Sequence, residues 1–364
     1  MSRALLSPSD ANRWVRCQAS VIAQRGILST GDRTAATAGQ ETHRRGAELI
    51  RGACRGLPLP SGYEDPIALE YAAHVIKILR TFGVFGGPCL GIETPVNCSI
   101  VHSECHGTPD FWVYDETNND LMVIDLKTGY RPVRARDNWQ LICYALGVAY
   151  TLGLDSDTHV YLRIFQPTIS DKQFDQWPIT LGALKGPEYL EHLQACAEIA
   201  LDGMSMAIAG HHCYYCKARY CCDALQSAAL DTADYLGEPI PNETEGQTLA
   251  TELTILNHAK VMLTQRLDAL TEHATAVIRG GSQIPGWQLS ERKGRLAWTL
   301  GADETAAALG LIDKSVTLRK PEELITPTQA IAAGLDPSVV AAYAKRSKPK
   351  LVLREDNAKE IFNG

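Results

Sequence analysis

The sequence has no run of eighteen apolar residues, which excludes an ordinary membrane-spanning helix. Its first residues also lack the charged-then-apolar pattern of an export signal. These two absences predict a soluble protein that stays in the cytoplasm, with no membrane partner. There is no excess of positive charge either, since 35 lysines and arginines face 42 aspartates and glutamates for a net charge of −7. That balance excludes coating nucleic acid through bulk charge, although a local basic channel on an acidic body remains compatible with it. No internal repeat and no low-complexity tract is present, and no cysteine lies beyond Cys222.

What is there suffices for about two domains. At 364 residues and 45% hydrophobic composition the chain can bury a substantial core. Eleven cysteines would suggest disulfides in a small secreted protein, but this chain is large and reads as unexported. Four of them crowd between Cys213 and Cys222, which points to metal chemistry. Cys54, Cys89, Cys98, Cys105, Cys143 and Cys196 read as small buried apolar residues.

Ser7 to Cys17 opens with helix-start chemistry, Ser or Asp at the cap followed by Trp14 and Val15. Helices are predicted over 35–51, carrying His43, Arg44 and Arg45, and over 66–81. Strands are predicted at 90–96, 111–114, 121–126 and 159–165, with a helix at 138–152. The order α-β-β-β-α-β implies an α/β fold, a mixed central sheet flanked by helices. A helix at 184–209 leads into the cysteines. Residues 1–235 are read as one domain, 236–242 as a linker, and 243–364 as an α-rich C-terminal region.

In that region Leu249, Leu253, Leu256, Leu263, Leu267, Leu270, Ala274 and Val277 keep a three-four spacing, the pattern of a long amphipathic helix over 247–279. Its seam is expected to pack on its own chain, with a homo-oligomer as the alternative. Pro285 to Trp298 reads as a hairpin turning at Lys293-Gly294. Short helices at 302–309, 322–333 and 337–345 and a strand at 351–353 follow.

The chemistry concentrates between Gly107 and Tyr144. Hydrolysing a phosphodiester requires charge neutralisation at phosphorus and an activated water, and divalent ions supply both. Mg²⁺ takes oxygen ligands and keeps waters, so a few carboxylates and a carbonyl suffice. Asp110 at the entry of one strand and Asp125 within the next can meet at such an ion if the strands pair, with the Leu126 carbonyl as a further ligand. Lys127 shares the face of Asp125 by strand alternation. A strand-terminal Asp is more often a turn former, and Asp-x-Lys is common on solvated strands. Asp125 differs because it follows Met122-Val123-Ile124 in an apolar strand, where an uncompensated carboxylate is costly.

These residues resemble the PD-(D/E)xK nuclease superfamily, and within it the RecB-like group. Gly107 to Asp110 matches its Gly-x-x-Asp element, Asp125 to Lys127 its Asp-x-Lys, Gln140 to Tyr144 its Gln-x-x-x-Tyr helix, and Gly39 to His43 its Gly-x-x-x-His helix. The resemblance implies a restriction-endonuclease-like core. It implies Mg²⁺ or Mn²⁺ held by His43, Asp110 and Asp125, attack assisted by Lys127, phosphate support from Gln140 and Tyr144, and a supporting role for Glu93. Arg44, Arg131, Arg134 and Arg136 would then supply the basic patch.

Cys213, Cys216 and Cys222 follow a Cys-x2-Cys-x5-Cys spacing, with Cys221 the alternative last member. The pattern resembles the iron–sulfur nucleases of the RecB-like group, in which a lone upstream cysteine completes a [4Fe–4S] site. Cys17 is the matching residue. Structural zinc and metal-free buried thiols are the alternatives.

In the C-terminal region, Trp287, Arg292, Lys293, Arg295 and Trp298 mix aromatics with cations in one expected hairpin, a combination suited to single-stranded bases and phosphates. A small satellite core with solvated charges is the competing reading. The Pro-Gly-Trp-x-Leu stretch and Ile325 to Gln329 resemble a phage-borne branch of RecB-like nucleases. The resulting expectation is a metal-dependent DNA exonuclease of phage replication and recombination, encoded by a phage or prophage. Its partners would be DNA ends and a single-strand-binding or annealing protein. A catalytically inactive DNA-end scaffold and a flap or CRISPR-spacer endonuclease are the alternatives.

Overall fold

The apolar run from Leu121 to Leu126 is buried along its length and forms the middle strand of a five-stranded sheet. The structure, a computed structural model, describes residues 4–27, 34–87, 89–169, 174–236, 246–292, 296–299, 301–312, 324–346 and 350–355. Two compact units divide within the long C-terminal helix, Met1–Ala269 and Leu270–Gly364. No helix among the described residues is long and apolar enough to cross a membrane.

The first unit opens with α1 (Ala11–Trp14), α2 (Ser20–Ala23), α3 (Thr34–Cys54) and α4 (Pro66–Phe82). Strands β1 (Leu90–Ile92), β2 (Val96–Asn97), β3 (His106–Gly107), β4 (Phe111–Asp115) and β5 (Asp120–Leu126) follow, then α5 (Trp139–Leu152), β6 (His159–Phe165) and β7 (Phe174–Thr180). Helices α6 (Leu181–Leu184), α7 (His192–Asp202), α8 (Asp223–Leu236) and α9 (Gly246–Arg279) come next. The sheet runs β1-β4-β5-β6-β7, with β5 and β6 parallel and the other pairs antiparallel. This is the mixed α/β sheet expected from the order of elements. A parallel pair needs a crossover, and α5 supplies it.

Strand alternation sorts β5 between two cores. Leu121 and Val123 pack with Leu141, Ile142 and Ala145 of α5. Met122, Ile124 and Leu126 pack with Ile50 of α3 and Tyr71, Val75 and Leu79 of α4. Asp125 therefore falls on the α5 side, and Lys127 follows it two residues on.

Several expected elements differ. The strand expected over 90–96 ends at Ile92, because Glu93 takes a left-handed φ of 46° and redirects the chain. Val96–Asn97 pairs instead with His106–Gly107. The edge strand β7 was not expected. It contains Pro178, which a strand tolerates at an edge where no donor is needed. The helix expected over 184–209 is broken into α6, a π-turn at Pro187–Glu191 and α7, and Gly203, at φ 75°, ends it. Along the first-unit part of α9 the buried face is Ala259, Met262, Gln265 and Ala269, whereas the seam residues Leu253 and Leu267 are exposed. The small residues pack closely, and the leucine spacing alone did not identify them.

The second unit contains β8 (Trp287–Arg292), β9 (Leu296–Trp298), α10 (Ala302–Ile312), α11 (Pro327–Ala332), α12 (Pro337–Tyr343), β10 (Ala344–Arg346) and β11 (Lys350–Glu355). Its core gathers Leu309, Ile325, Ala330, Leu335 and Val340. The expected hairpin is corrected: β8 pairs with β11 and β9 with β10, and no β8–β9 pairing occurs among the described residues. Tertiary partners outcompete the adjacent strand here. Residues 293–295, including the expected turn, lie outside the described residues. The helix expected from 322 begins at Pro327, capped by Thr326 and Gln329 in a capping box.

Candidate active site

Three elements bring His43, Glu93 and Asp110 together. Asp110 precedes β4, where its Oδ1 lies 2.8 Å from His43 Nδ1 and its Oδ2 accepts a 2.6 Å bond from the Leu126 N–H. His43 projects from α3. One turn earlier, a Cβ on Gly39 would stand 3.0 Å from Thr128 Oγ1, so the small residue lets this helix approach the end of β5. Glu93 donates its backbone N–H to the Asp110 carbonyl at 3.0 Å, and its Oε1 lies 4.0 Å from His43 Nδ1. Ligand atoms of these three residues lie within 4.8 Å of one another.

Beside them, Asp125 Oδ2 lies 2.7 Å from Lys127 Nζ. Gln140 Nε2 donates to Asp125 Oδ1 at 2.6 Å, and Gln140 Oε1 accepts from Lys127 Nζ at 2.9 Å. Gln140 is placed by the start of α5, where Asn138 caps the helix by accepting from the Gln140 and Leu141 amides. Asn12 in turn holds the Trp139 N–H at 3.2 Å. Tyr144, one turn along and buried, packs where a Cβ on Gly107 would stand 3.1 Å from its ring.

The electrostatics follow from burying three carboxylates with two cations. Burial and the neighbouring Asp110 push the Glu93 carboxyl up to about 7. Burial opposes a charge on His43, but Asp110, with Asp125 and Glu93, overcomes it and lifts the imidazole to about 9. Lys127 is likewise penalised by burial and held protonated by Asp125. Asp125 is raised by burial, against the pull of Lys127. Its Oδ2 has no aligned hydrogen-bond donor, so the ion pair with Lys127 is its compensation.

A cleft of about 430 Å³ opens over these groups and is lined by His43, Asp110, Asp125, Lys127, Gln140 and Tyr144. Leu126 also lines it, and the contact seen from that residue is its amide to Asp110. Sequence reasoning missed Ser7 and Ser9, which line the cleft, and Arg51, which donates to the Ile92 carbonyl at 2.7 Å and acts on Glu93. A remote serine or a helix arginine gives no local signal of such a role.

The basic residues are less uniform than expected. Arg44 is tied to Glu41 and Glu48 on its own helix. Arg136 lies 3.8 Å from Asp137, Arg134 is exposed, and Arg131 sits 3.4 Å over the Tyr214 ring. Trp287 is half-exposed in the second unit and Arg292 ends β8. Lys293 and Arg295 lie outside the described residues.

Cys17 contacts the segment that leads into the downstream cysteines. The Ile208 N–H donates to Cys17 Sγ at 3.4 Å, and the Gly210 N–H to Cys213 Sγ at 3.4 Å. Cys17 and Cys222 both act electrostatically on Cys213, and Cys17 and Cys213 on Cys216, whose thiol burial pushes up to about 11. Cys222 packs in the small cluster with Cys213, Leu225 and Met262, whereas Cys221 is exposed.

Residues 65–358 match the family described as protein of unknown function (DUF2800), and the chain belongs to that family. The match spans β4, β5, α5 and the cysteine loop, while His43 and Cys17 precede it.

Proposed function

We propose that the chain is a divalent-metal-dependent deoxyribonuclease of the PD-(D/E)xK, RecB-like type, acting on DNA ends. The observation that carries this reading is the buried Asp125–Lys127 pair, braced by Gln140, beside the His43–Glu93–Asp110 group. Two carboxylates supply the hard oxygen ligands that Mg²⁺ or Mn²⁺ takes, and the His43 imidazole can join them once it gives up its proton. Asp125 adds a buried oxygen without an aligned donor. The residues present therefore fit such an ion, with His43, Glu93, Asp110 and Asp125 holding it.

A bound divalent ion neutralises phosphate charge and makes water nucleophilic. The remaining work falls to the side chains. Lys127 Nζ, held protonated, acts as a donor and not as a base: it orients the attacking water and offsets charge growing on the phosphate oxygens. Gln140 keeps Nζ and the Asp125 carboxylate in register. Water adds at phosphorus and gives up one proton to solvent, the bond to the leaving oxygen breaks, and that oxygen takes a proton from solvent.

The cysteines fit a [4Fe–4S] cluster held by Cys17, Cys213, Cys216 and Cys222. N–H donors aimed at two sulfurs are contacts that stabilise cluster thiolates. Structural zinc on the same thiolates is the alternative. A place in phage replication and recombination, beside a single-strand-binding or annealing protein, rests on the family likeness of the motifs.

The test is incubation of linear and circular DNA, labelled at either terminus, with Mg²⁺ or Mn²⁺. Degradation of linear DNA with circles resistant is expected, and the order of label loss gives the direction. Intact DNA under all conditions would overturn the reading.

A further inference from the structure

Among the described residues, the two most exposed aromatic side chains are Tyr130, 84% accessible, and Tyr215, 72% accessible. Both come from segments beside the cleft, through Gly129, which lines it, and the Arg131–Tyr214 contact. Tyr130 follows Gly129 directly. Tyr215 comes from the cysteine loop, more than eighty residues later, and adjoins Tyr214, whose ring the Arg131 guanidinium covers.

The loop is fixed, not draped. Tyr214 meets Tyr215 edge to face with ring centroids 4.6 Å apart and planes at 87°. The Arg131 guanidinium lies 3.4 Å over the Tyr214 ring, and the Arg219 guanidinium 5.5 Å from it. Arg219 also donates to the Tyr214 carbonyl at 2.7 Å. The segment carrying Arg131 is pinned too, since Gln166 Nε2 donates to the Gly129 and Arg131 carbonyls at 2.6 and 2.8 Å. Among the described residues no carboxylate pairs with Arg131, so its charge is available to a phosphate.

Solvent-facing aromatics beside a guanidinium that pairs with no carboxylate among the described residues are the parts of a base-stacking platform. Bases inside a duplex keep their faces in the stack, and only unpaired bases can offer them. We propose that Tyr215 and Tyr130, with Arg131, form a ledge at the mouth of the cleft on which unpaired bases stack. The site then takes single-stranded DNA in preference to intact duplex. This inference rests on the nuclease reading above and adds the substrate class and its specificity residues.

The experiment reads binding without cleavage. The full-length protein is titrated, without divalent metal, into an oligothymidine carrying one 2-aminopurine and into a blunt DNA hairpin. Anisotropy gives the affinities, and 2-aminopurine quenching reports stacking. Tyr215→Ala and Tyr130→Ala are each expected to weaken single-strand binding about five- to a hundredfold and to reduce the quench, with hairpin binding unchanged. Tyr215→Phe keeps both. Tyr130 lies outside the cysteine loop, so its variant remains informative if Tyr215→Ala disturbs Cys213 or Cys216. Undiminished single-strand binding in both alanine variants, equal losses on hairpin and single strand, or a Tyr215→Phe as weak as Tyr215→Ala would overturn the ledge. Quenching that persists in a protein unable to cleave overturns the nuclease reading alone. Cleavage without quenching overturns the ledge alone.

Discussion

Gln140 and Asp125 are joined across the junction of α5 and β5 by a 2.6 Å hydrogen bond, and both are more than nine-tenths buried. The amide cannot rotate without breaking this bond or the one it accepts from Lys127. One helix residue thus sets the orientation of the acid and the ammonium together.

Replacing Gln140 by Leu keeps the volume and removes both contacts. The expected loss is about 1–3 kcal/mol of stability, the usual result of stranding a buried polar partner. Cleavage should slow by about 10- to 100-fold, a cost of ~1.4–2.7 kcal/mol in the barrier, while DNA affinity holds. Urea unfolding and single-turnover cleavage measure the two effects, and unaltered cleavage would remove Gln140 from the site.

Lys127→Met strands the Asp125 carboxylate in the interior. Breaking one side of a buried pair costs about 3–5 kcal/mol, whereas removing both charges costs much less. The Asp125→Asn, Lys127→Met double variant should therefore be more stable than Lys127→Met alone, and both of these and the Asp125→Asn single variant should fail to cleave while still binding DNA. A cycle of melting curves without metal checks the first statement. Additive losses would show the pair to be uncoupled.

Mn²⁺ should raise the melting temperature if the His43–Glu93–Asp110 group holds it. At a hundredfold excess over Kd the stabilisation is about 2.7 kcal/mol. Asp110→Ala and His43→Ala should abolish the shift, and an identical shift in those variants would place the ion elsewhere.

His74 gives a pH dependence independent of the cleft. Its Nε2 lies 2.8 Å from Arg163 Nη1 and its ring 4.6 Å from that of Phe165. Burial, with Arg163 and Lys77, pulls the imidazole down to about 4. Below an unfolded value near 6.5 the unfolded chain binds the extra proton, so stability falls as pH drops from about 6.5 to 4 and is flat in this respect above that window. Partial solvent contact limits the effect to about 1–2 kcal/mol. His74→Gln should flatten this limb of a melting-temperature profile, and an unchanged slope would exclude His74 as its source.

Cys17→Ala should yield a colourless protein where the parent is brown, and limited proteolysis should then release the first twenty or so residues. A brown Cys17→Ala variant, or a colourless parent with stoichiometric zinc, would overturn the cluster.

The sheet was legible because β5 carries an apolar run from Leu121 to Ile124, β6 alternates buried apolar residues with His159, Tyr161 and Arg163, and α5 is capped by Asn138 and closed by Gly153. Asp110, Asp125, Lys127, Gln140 and His43 could be picked out because their spacing carries a motif, and the structure gathers them around one cleft. Glu93 was less legible: its left-handed backbone turns it toward His43, and nothing in Ile92-Glu93-Thr94 announces a break. The strand pairs of the second unit were misread because a local turn signal cannot identify a partner 58 to 68 residues away. The helix α9 face was misread for a related reason. Leucine spacing marks an apolar stripe, but closeness of approach selected Ala259 and Ala269.

The contacts of the first twenty residues have a consequence for the order of synthesis. Asn12 meets Asn138, Gln18 meets Cys196, and Cys17 meets Ile208. In synthesis these residues precede their partners by 126 to 191 residues, so each contact waits on chain made later and closes a long loop, a cost that sequence separation carries into the folding rate.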